Sequence, residues 1–294
     1  MFEYLNELTS IGLNDFPLFL GVCAVSGIVR LFLTYCILTP ISKRITFKSE
    51  FVRFKFIHRG FDFIHFSFST ITGFLALMSR PYYHCFYYTF NCGKEFVQQA
   101  EPTDRVILSR FEKFYYMIFT AYYIVDVFFI WTNTTDRRIL MLHHFISVTL
   151  ILNSIYIRTQ VIGVCVLLLH DVVDAPLYLG KVCTYLQFKK MQDIALLVFA
   201  AACTWFRIIC LPGVIVYAFI TVFKHNPDHY PFYCLEAGIL LILLYCHLYW
   251  FKRIVMAAIN IFTQGADAIC DNRSDGPDND EDEVKKDEKQ IKKD

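Results

Sequence analysis

Residues 139–157, ILMLHHFISVTLILNSIYI, and residues 160–180, QVIGVCVLLLHDVVDAPLYLG, are two long apolar runs separated only by Arg158 and Thr159. Each has about 20 residues, the length at which a helix crosses the hydrocarbon of a bilayer. A two-residue join leaves room for a tight turn and nothing more, so the pair reads as an antiparallel helical hairpin. Further runs of the same kind lie at 17–39, 61–79, 114–132, 194–223 and 232–251. The expectation is an all-α polytopic membrane bundle of about seven transmembrane helices. Pro212 interrupts the sixth span and predicts a kink or partial break there.

Composition points the same way. Of 294 residues 56% are hydrophobic, 17% aromatic and 19% charged, with 30 Phe and 18 Tyr, and the mean hydropathy is +0.42. Soluble domains carry about 25% charged residues, and this much apolar surface cannot be hidden in one water-soluble core. The net charge of +1 conceals a split, because residues 271–294 hold ten Asp+Glu against six Lys+Arg and only Val284 and Ile291 as apolar side chains. That tail is expected to be disordered and solvated. No basic domain calls for nucleic acid. The 11 cysteines read mostly as small apolar packing residues, and only Cys85 and Cys92, in a long polar loop, are placed to form a bridge.

Lys and Arg alternate between loops in a way that sets an expected orientation. Lys43, Arg44, Lys48, Arg53, Lys55 and Arg59 crowd the first loop, Arg137 and Arg138 the third, Lys181, Lys189 and Lys190 the fifth, and Lys252 and Arg253 follow the last span. With seven spans these loops share one side, which places the amino terminus in the lumen and the carboxyl tail in the cytosol. Residues 1–16 contain no Lys or Arg, so the first helix is read as its own signal anchor. The sequons at Asn133 and Asn272 then face the cytosol and stay unmodified.

Ionisable groups inside spans are costly and face a bundle interior or a wet cavity. The fourth span carries His143 and His144, with Ser147 one turn on; the fifth carries His170, Asp171 and Asp174. His170 and Asp174 are i,i+4 neighbours, and Asp171 and Asp174 are i,i+3 neighbours. At 1.5 Å per residue, His143 lies about 6 Å below the basic surface, Asp174 about 9 Å and His170 about 15 Å. The two clusters therefore meet in one half of the bilayer, and the set reads as a reaction centre. A zinc or di-iron site is an alternative use of three His and two Asp, although adjacent histidines point about 100° apart. Single polar residues in spans, here Asp126, Glu236, His65 and His247, read as links between helices.

The run His143-His144-Phe-Ile-Ser147, then Gly163, then Leu169-His170-Asp171-Val-Val-Asp174, then Lys181 and Tyr185, resembles the longevity-assurance motif of ceramide synthases. That motif belongs to the domain shared by translocating-chain-associated, longevity-assurance and CLN8 proteins. Asp193, Arg207 and Pro212 also stand where family members carry these residue types. The resemblance covers roughly residues 50–260, between a first segment of 1–49 and the acidic tail of 261–294. There are departures: Thr134-Thr135-Asp136-Arg137 keeps only the Asp of the family's pattern before the histidine helix. Val161 replaces an Arg, Tyr178 a Glu, and Pro176 lies inside the fifth helix.

The resemblance implies a ceramide synthase of the endoplasmic reticulum membrane, which acylates the amine of a sphingoid base from a fatty acyl-CoA with no cofactor and no metal. On this reading His143 meets the thioester, His144 or His170 handles the proton, and Asp171 and Asp174 orient an imidazolium. Ser147, Lys181, Tyr185, Arg207, Arg137 and Arg138 would bind substrate, the cations meeting the CoA phosphates. The partners are acyl-CoA, a sphingoid base and membrane lipids; a homo- or hetero-dimer or an accessory subunit stays open. The loop Lys224 to Pro231 corresponds to the one that influences chain length in the family. Competing readings are a non-enzymatic lipid-handling or translocon-associated member of the same superfamily, a membrane desaturase or hydroxylase, which would need further histidine boxes, and a transporter, which would need repeats not seen here.

Overall fold

The structure, a computed structural model, describes residues 7–78, 80–87, 108–133, 137–157, 159–215 and 230–264. Among the described residues seven long helices follow one another: α1 Phe16–Ser42, α2 Glu50–Met78, α3 Arg110–Asn133, α4 Arg137–Tyr156, α5 Gln160–Tyr185, α6 Lys189–Ile215 and α7 Tyr230–Gln264. Each of the seven apolar runs of the sequence overlaps one of them, residues 216–223 of the sixth run lying outside the described residues. Among the described residues five helices, α1, α2, α5, α6 and α7, are long and apolar enough to cross a membrane. The shortfall from seven has a compositional cause. α3 opens with Arg110, Glu112 and Lys113 and draws much of its apolar surface from tyrosines, and the apolar part of α4 is the shorter Leu140–Tyr156.

Local chemistry starts and bends these helices. Pro17 stands in the first turn of α1, where its missing N–H costs nothing. The Ser49 hydroxyl accepts from the Val52 N–H at 3.2 Å and caps α2. At the head of α3 Ser109 and Glu112 form a reciprocal capping box, the Glu112 N–H donating to Ser109 Oγ at 3.1 Å and the Ser109 N–H to Glu112 Oε2 at 2.7 Å. Tyr82 donates to the same carboxylate and Arg80 lies 3.1 Å from it. A two-residue antiparallel ribbon, β1 Leu8–Thr9 with β2 Leu108–Ser109, ties the segment before α1 to this corner. Cys85, in the short helical turn Tyr83–Phe86, is disulfide-bonded; Cys92 lies outside the described residues.

The break expected at Pro212 takes the form of a π-helical stretch, Cys203–Cys210, just before it. Pro40 in α1 follows a second one, Leu33–Leu38. Proline offers no N–H to the carbonyl four residues back, and the wider helix redistributes the remaining bonds. Pro176 is instead accommodated within unbroken α5.

α5 is the central helix. It packs most extensively on α2 and α6, and 61% of its most apolar stretch is buried against 6% for α1. Glycines allow the close approaches around it: a Cβ on Gly73 would stand 2.6 Å from the Tyr115 ring, and one on Gly163 2.7 Å from the Tyr116 hydroxyl. α1 lies against α3 and, through its Leu33–Ser42 end, against α2, and presents most of its other apolar side chains outward, as a lipid-facing helix does. Residues 216–229 and 265–294, which include most of the Lys224 to Pro231 loop and most of the acidic tail, lie outside the described residues.

Candidate active site

Three imidazoles from three helices converge. His143 on α4, His170 on α5 and His247 on α7 have ring centroids 6.5 Å (143–170), 4.8 Å (170–247) and 6.3 Å (143–247) apart. Trp250, one turn after His247, closes the group at 5.6 Å from His143 and 6.0 Å from His247. The Nδ1–H of His170 donates to the Val166 carbonyl one turn back at 2.6 Å. A carbonyl only accepts, so this bond fixes the tautomer and leaves the lone pair on Nε2. That Nε2, His143 Nδ1 and both nitrogens of His247 are buried without a hydrogen-bond partner. Buried polar atoms are nearly always paired, so four such atoms in one cluster mark a place built for something else to bond.

His144 has a different setting, although it is the next residue. Its Nδ1 faces the Tyr123 carbonyl at 3.2 Å and its Nε2 the Asp126 carboxylate at 3.4 Å. Asp126 is itself bonded to Arg30 of α1, whose guanidinium lies over the Phe61 and Phe129 rings at 4.6 and 3.9 Å. His144, Asp126 and Arg30 are all buried. This knot joins α1, α3 and α4.

The two carboxylates of α5 turn away from the imidazoles. Asp171 accepts from Ser69 of α2 and, at 3.1 Å, from Tyr115 of α3. Asp174 pairs with Arg207 of α6 at 2.7 Å, and the same guanidinium donates to the His170 carbonyl at 2.9 Å. The expected carboxylate–imidazole contact from Asp171 or Asp174 is therefore replaced. Three side chains within two turns of one helix face three different neighbours, and Asp174 reaches His170 only through Arg207 and the backbone. Arg207 takes the inner carboxylate Asp174, while Arg30 takes Asp126.

The remaining expected site residues divide. The Ser147 hydroxyl donates to the His143 carbonyl at 2.8 Å. Lys181 is buried with its Nζ 5.9 Å from the centre of the Tyr178 ring, and Tyr185 is buried as well. Arg137 and Arg138 open α4, their side chains lying outside the described residues. Thr134, Thr135, Asp136 and Arg158 lie outside them too.

A partly open, mostly apolar pocket runs between α3, α4, α5 and α7. His170, Tyr123 and Ser147 line one end, Tyr116, Ser154 and Glu236 the other, and Leu, Ile and Val side chains the walls between. From His170 back to Gly163 along α5 is about 10 Å at 1.5 Å per residue. Thr159, just before α5, donates its hydroxyl to Glu236 at 3.0 and 3.1 Å. The arrangement can hold an alkyl chain in the dry part and present a carbonyl at its end to unpaired imidazole nitrogens. Among the described residues no group of three or more His, Cys, Asp or Glu is arranged to hold a metal ion.

Two participants escaped the reading of the sequence. His247 reads in the sequence as a link between helices, with Asp126, Glu236 and His65, yet both its nitrogens are unpartnered and it meets His170 by a tilted ring contact at 4.8 Å, whereas His65 stacks on Tyr122 at 3.6 Å. Arg30 was not singled out. As the lone basic residue deep in the first span it required a buried anion, and that requirement is legible in the sequence.

Comparison with known proteins bears on this geometry. The TLC domain matches residues 55–256, which contain all three imidazoles and the whole pocket. The chain is 30% identical to ceramide synthase 1 of Homo sapiens over 137 residues, covering 44% of this chain and 39% of that protein. It is 28% identical to ceramide synthase LOH1 of Arabidopsis thaliana over 180 residues, 58% of each. It is 30% identical to Alternaria stem canker resistance protein 1 of Solanum lycopersicum over 176 residues, 57% of this chain and 55% of that one. The chain thus spans about half the length of the curated relatives it matches.

Proposed function

The chain belongs to the TLC-domain family of multi-pass membrane proteins, and we propose that it transfers a fatty acyl group from acyl-CoA to the amine of a sphingoid base, releasing CoA and forming a ceramide or dihydroceramide. The observation that carries the reading is His170, which lines one end of an apolar pocket, has an unpaired Nε2, and lies in ring contact with His143 and His247. The names of its relatives supply the reaction class.

His143 attacks the thioester carbon through one ring nitrogen; the carbon–sulfur bond breaks and CoA leaves as thiolate, giving an acyl-imidazolium that keeps the proton on its other ring nitrogen. The sphingoid amine then attacks the acyl carbon, the carbon–imidazole bond breaks, and His170 Nε2, held ready by the Val166 bond, takes a proton from the new amide nitrogen. The acyl chain lies in the pocket toward Glu236. Arg207 positions α5 by holding Asp174 and the His170 carbonyl together. His144 acts as a buttress of the His143 turn, through Asp126 and Arg30, and does not act on the substrate. The protein is placed in the endoplasmic reticulum membrane with a lumenal amino terminus. The start of α4 and the end of α5 then face the cytosol, where acyl-CoA arrives and Arg137, Arg138, Lys189 and Lys190 can meet its phosphates.

The test uses microsomes from cells lacking their own ceramide synthases. They are given this protein, sphinganine and acyl-CoAs of differing chain length, with ceramide followed by mass spectrometry. Ceramide made by the wild type and absent with His143→Ala is the expected result. No ceramide from well-expressed wild type with any acyl-CoA turns the assignment toward non-enzymatic lipid handling.

A further inference from the structure

Acylation of an amine poses a proton problem that two histidines do not solve. At neutral pH the sphingoid amine arrives as an ammonium ion. It loses one proton to become a nucleophile and a second when the amide forms; one of these ends on the CoA sulfur and the other leaves to water. While His143 carries the acyl group its ring cannot take either, and His170 takes one. A second acceptor is required within reach of the same point.

On the acyl-transfer reading above, we propose that His247 of α7 is that acceptor: it deprotonates the incoming ammonium, and with His170 forms the proton-handling pair of the site. Its ring lies 4.8 Å from His170 and 6.3 Å from His143, measured between centroids. It is 1% exposed and neither of its nitrogens has a partner. An imidazole that served only to hold helices together would use at least one nitrogen, as His144 does with Tyr123 and Asp126. The titratable and charged groups that act on it are His170 on α5, Arg207 on α6 and His143 on α4. Among the described residues no carboxylate stands with them as a rival proton acceptor in contact with its ring. Trp250, one turn on in the same helix, walls the cluster at 6.0 Å from the His247 ring. The lone pair of a neutral His247 takes the ammonium proton, the freed amine attacks the acyl carbon, and the His247 proton then passes on to the CoA thiolate or to water.

The experiment measures ceramide formation by the full-length protein in microsomes, from about pH 7 to about pH 9, for wild type, His247→Gln and His247→Phe at equal folded protein. His247→Phe keeps a ring in the cluster, and His247→Gln covers the case that the phenyl variant does not fold. The expected result is a fall of about a hundredfold in kcat at pH 7, with KM for acyl-CoA unchanged. The fall should shrink as pH rises and the amine arrives as free base. Unchanged kcat, or a loss that is the same at every pH and comes with a raised KM, overturns the assignment and leaves the acyl-transfer reading standing. A wild type that makes no ceramide sinks both, and the absence of wild-type product tells that failure from the other.

Discussion

His143 and His144 are adjacent in sequence and belong to different regions of the molecule. His144 is locked into the knot of Arg30 and Asp126, where both its nitrogens face oxygen atoms. His143 turns toward α5 and α7, where His170 and His247 offer it no hydrogen bond and its own Nδ1 has none. The first region is polar and satisfied, which is how a buried polar group holds helices together. The second is polar and unsatisfied beside an apolar pocket, which is how a site waits for a substrate. Satisfaction of hydrogen bonds therefore separates scaffold from site here, where residue type does not.

The sharpest way to break this comparison is to remove an imidazole from the unsatisfied region. His170→Phe should cost at least about a thousandfold in acyl transfer while the midpoint of thermal unfolding in detergent stays at the wild-type value. A loss of stability comparable to the loss of activity would place His170 with the scaffold. The converse change is Asp126→Leu, which leaves Arg30 buried without its anion. Removing one partner of a buried pair costs about 3–5 kcal/mol, so the yield of folded protein should collapse, and Arg30→Met in the same chain should restore part of it. Independent, additive losses in that double-mutant cycle would refute the knot.

A subtler change sharpens the pocket side. A side chain on Gly163 meets the Tyr116 hydroxyl, which is bonded to Ser154 near the Glu236 end of the pocket. Gly163→Val should shift acyl-CoA preference to shorter chains by about tenfold, read from the same panel of acyl-CoAs; an unaltered preference would put the acyl chain elsewhere. The smallest effect is expected outside both regions, at Gln187 in the α5–α6 turn. It is a non-glycine residue with φ of 62°, so Gln187→Gly should raise stability by up to about 1 kcal/mol without touching turnover.

The helices were legible because a span of about 20 apolar residues has one physical solution in a bilayer, and the seven runs correspond to the seven helices. The π-helical stretches are foreshadowed by Pro40 and Pro212, the second of which interrupts its apolar run near the middle and the first of which stands at the end of its run. The pairing of α4 with α5 was legible too, since a two-residue join leaves no other arrangement. Which way each polar side chain turns was not. Helical periodicity allowed His170, Asp171 and Asp174 to share a cavity, but neighbours that are remote in sequence decide their directions: Ser69 and Tyr115 take Asp171, and Arg207 takes Asp174. For the same reason His247, 77 positions beyond His170, could not be told from a linking histidine until α7 was set beside α4.

The measurement that tests the division most directly is a side-by-side assay of His143→Asn and His144→Asn, with ceramide formed per molecule of folded protein. The account predicts that His143→Asn abolishes product at near-wild-type stability, and that His144→Asn lowers the amount of folded protein while each folded molecule keeps most of its activity. Equal loss of turnover per folded molecule in both variants would contradict it.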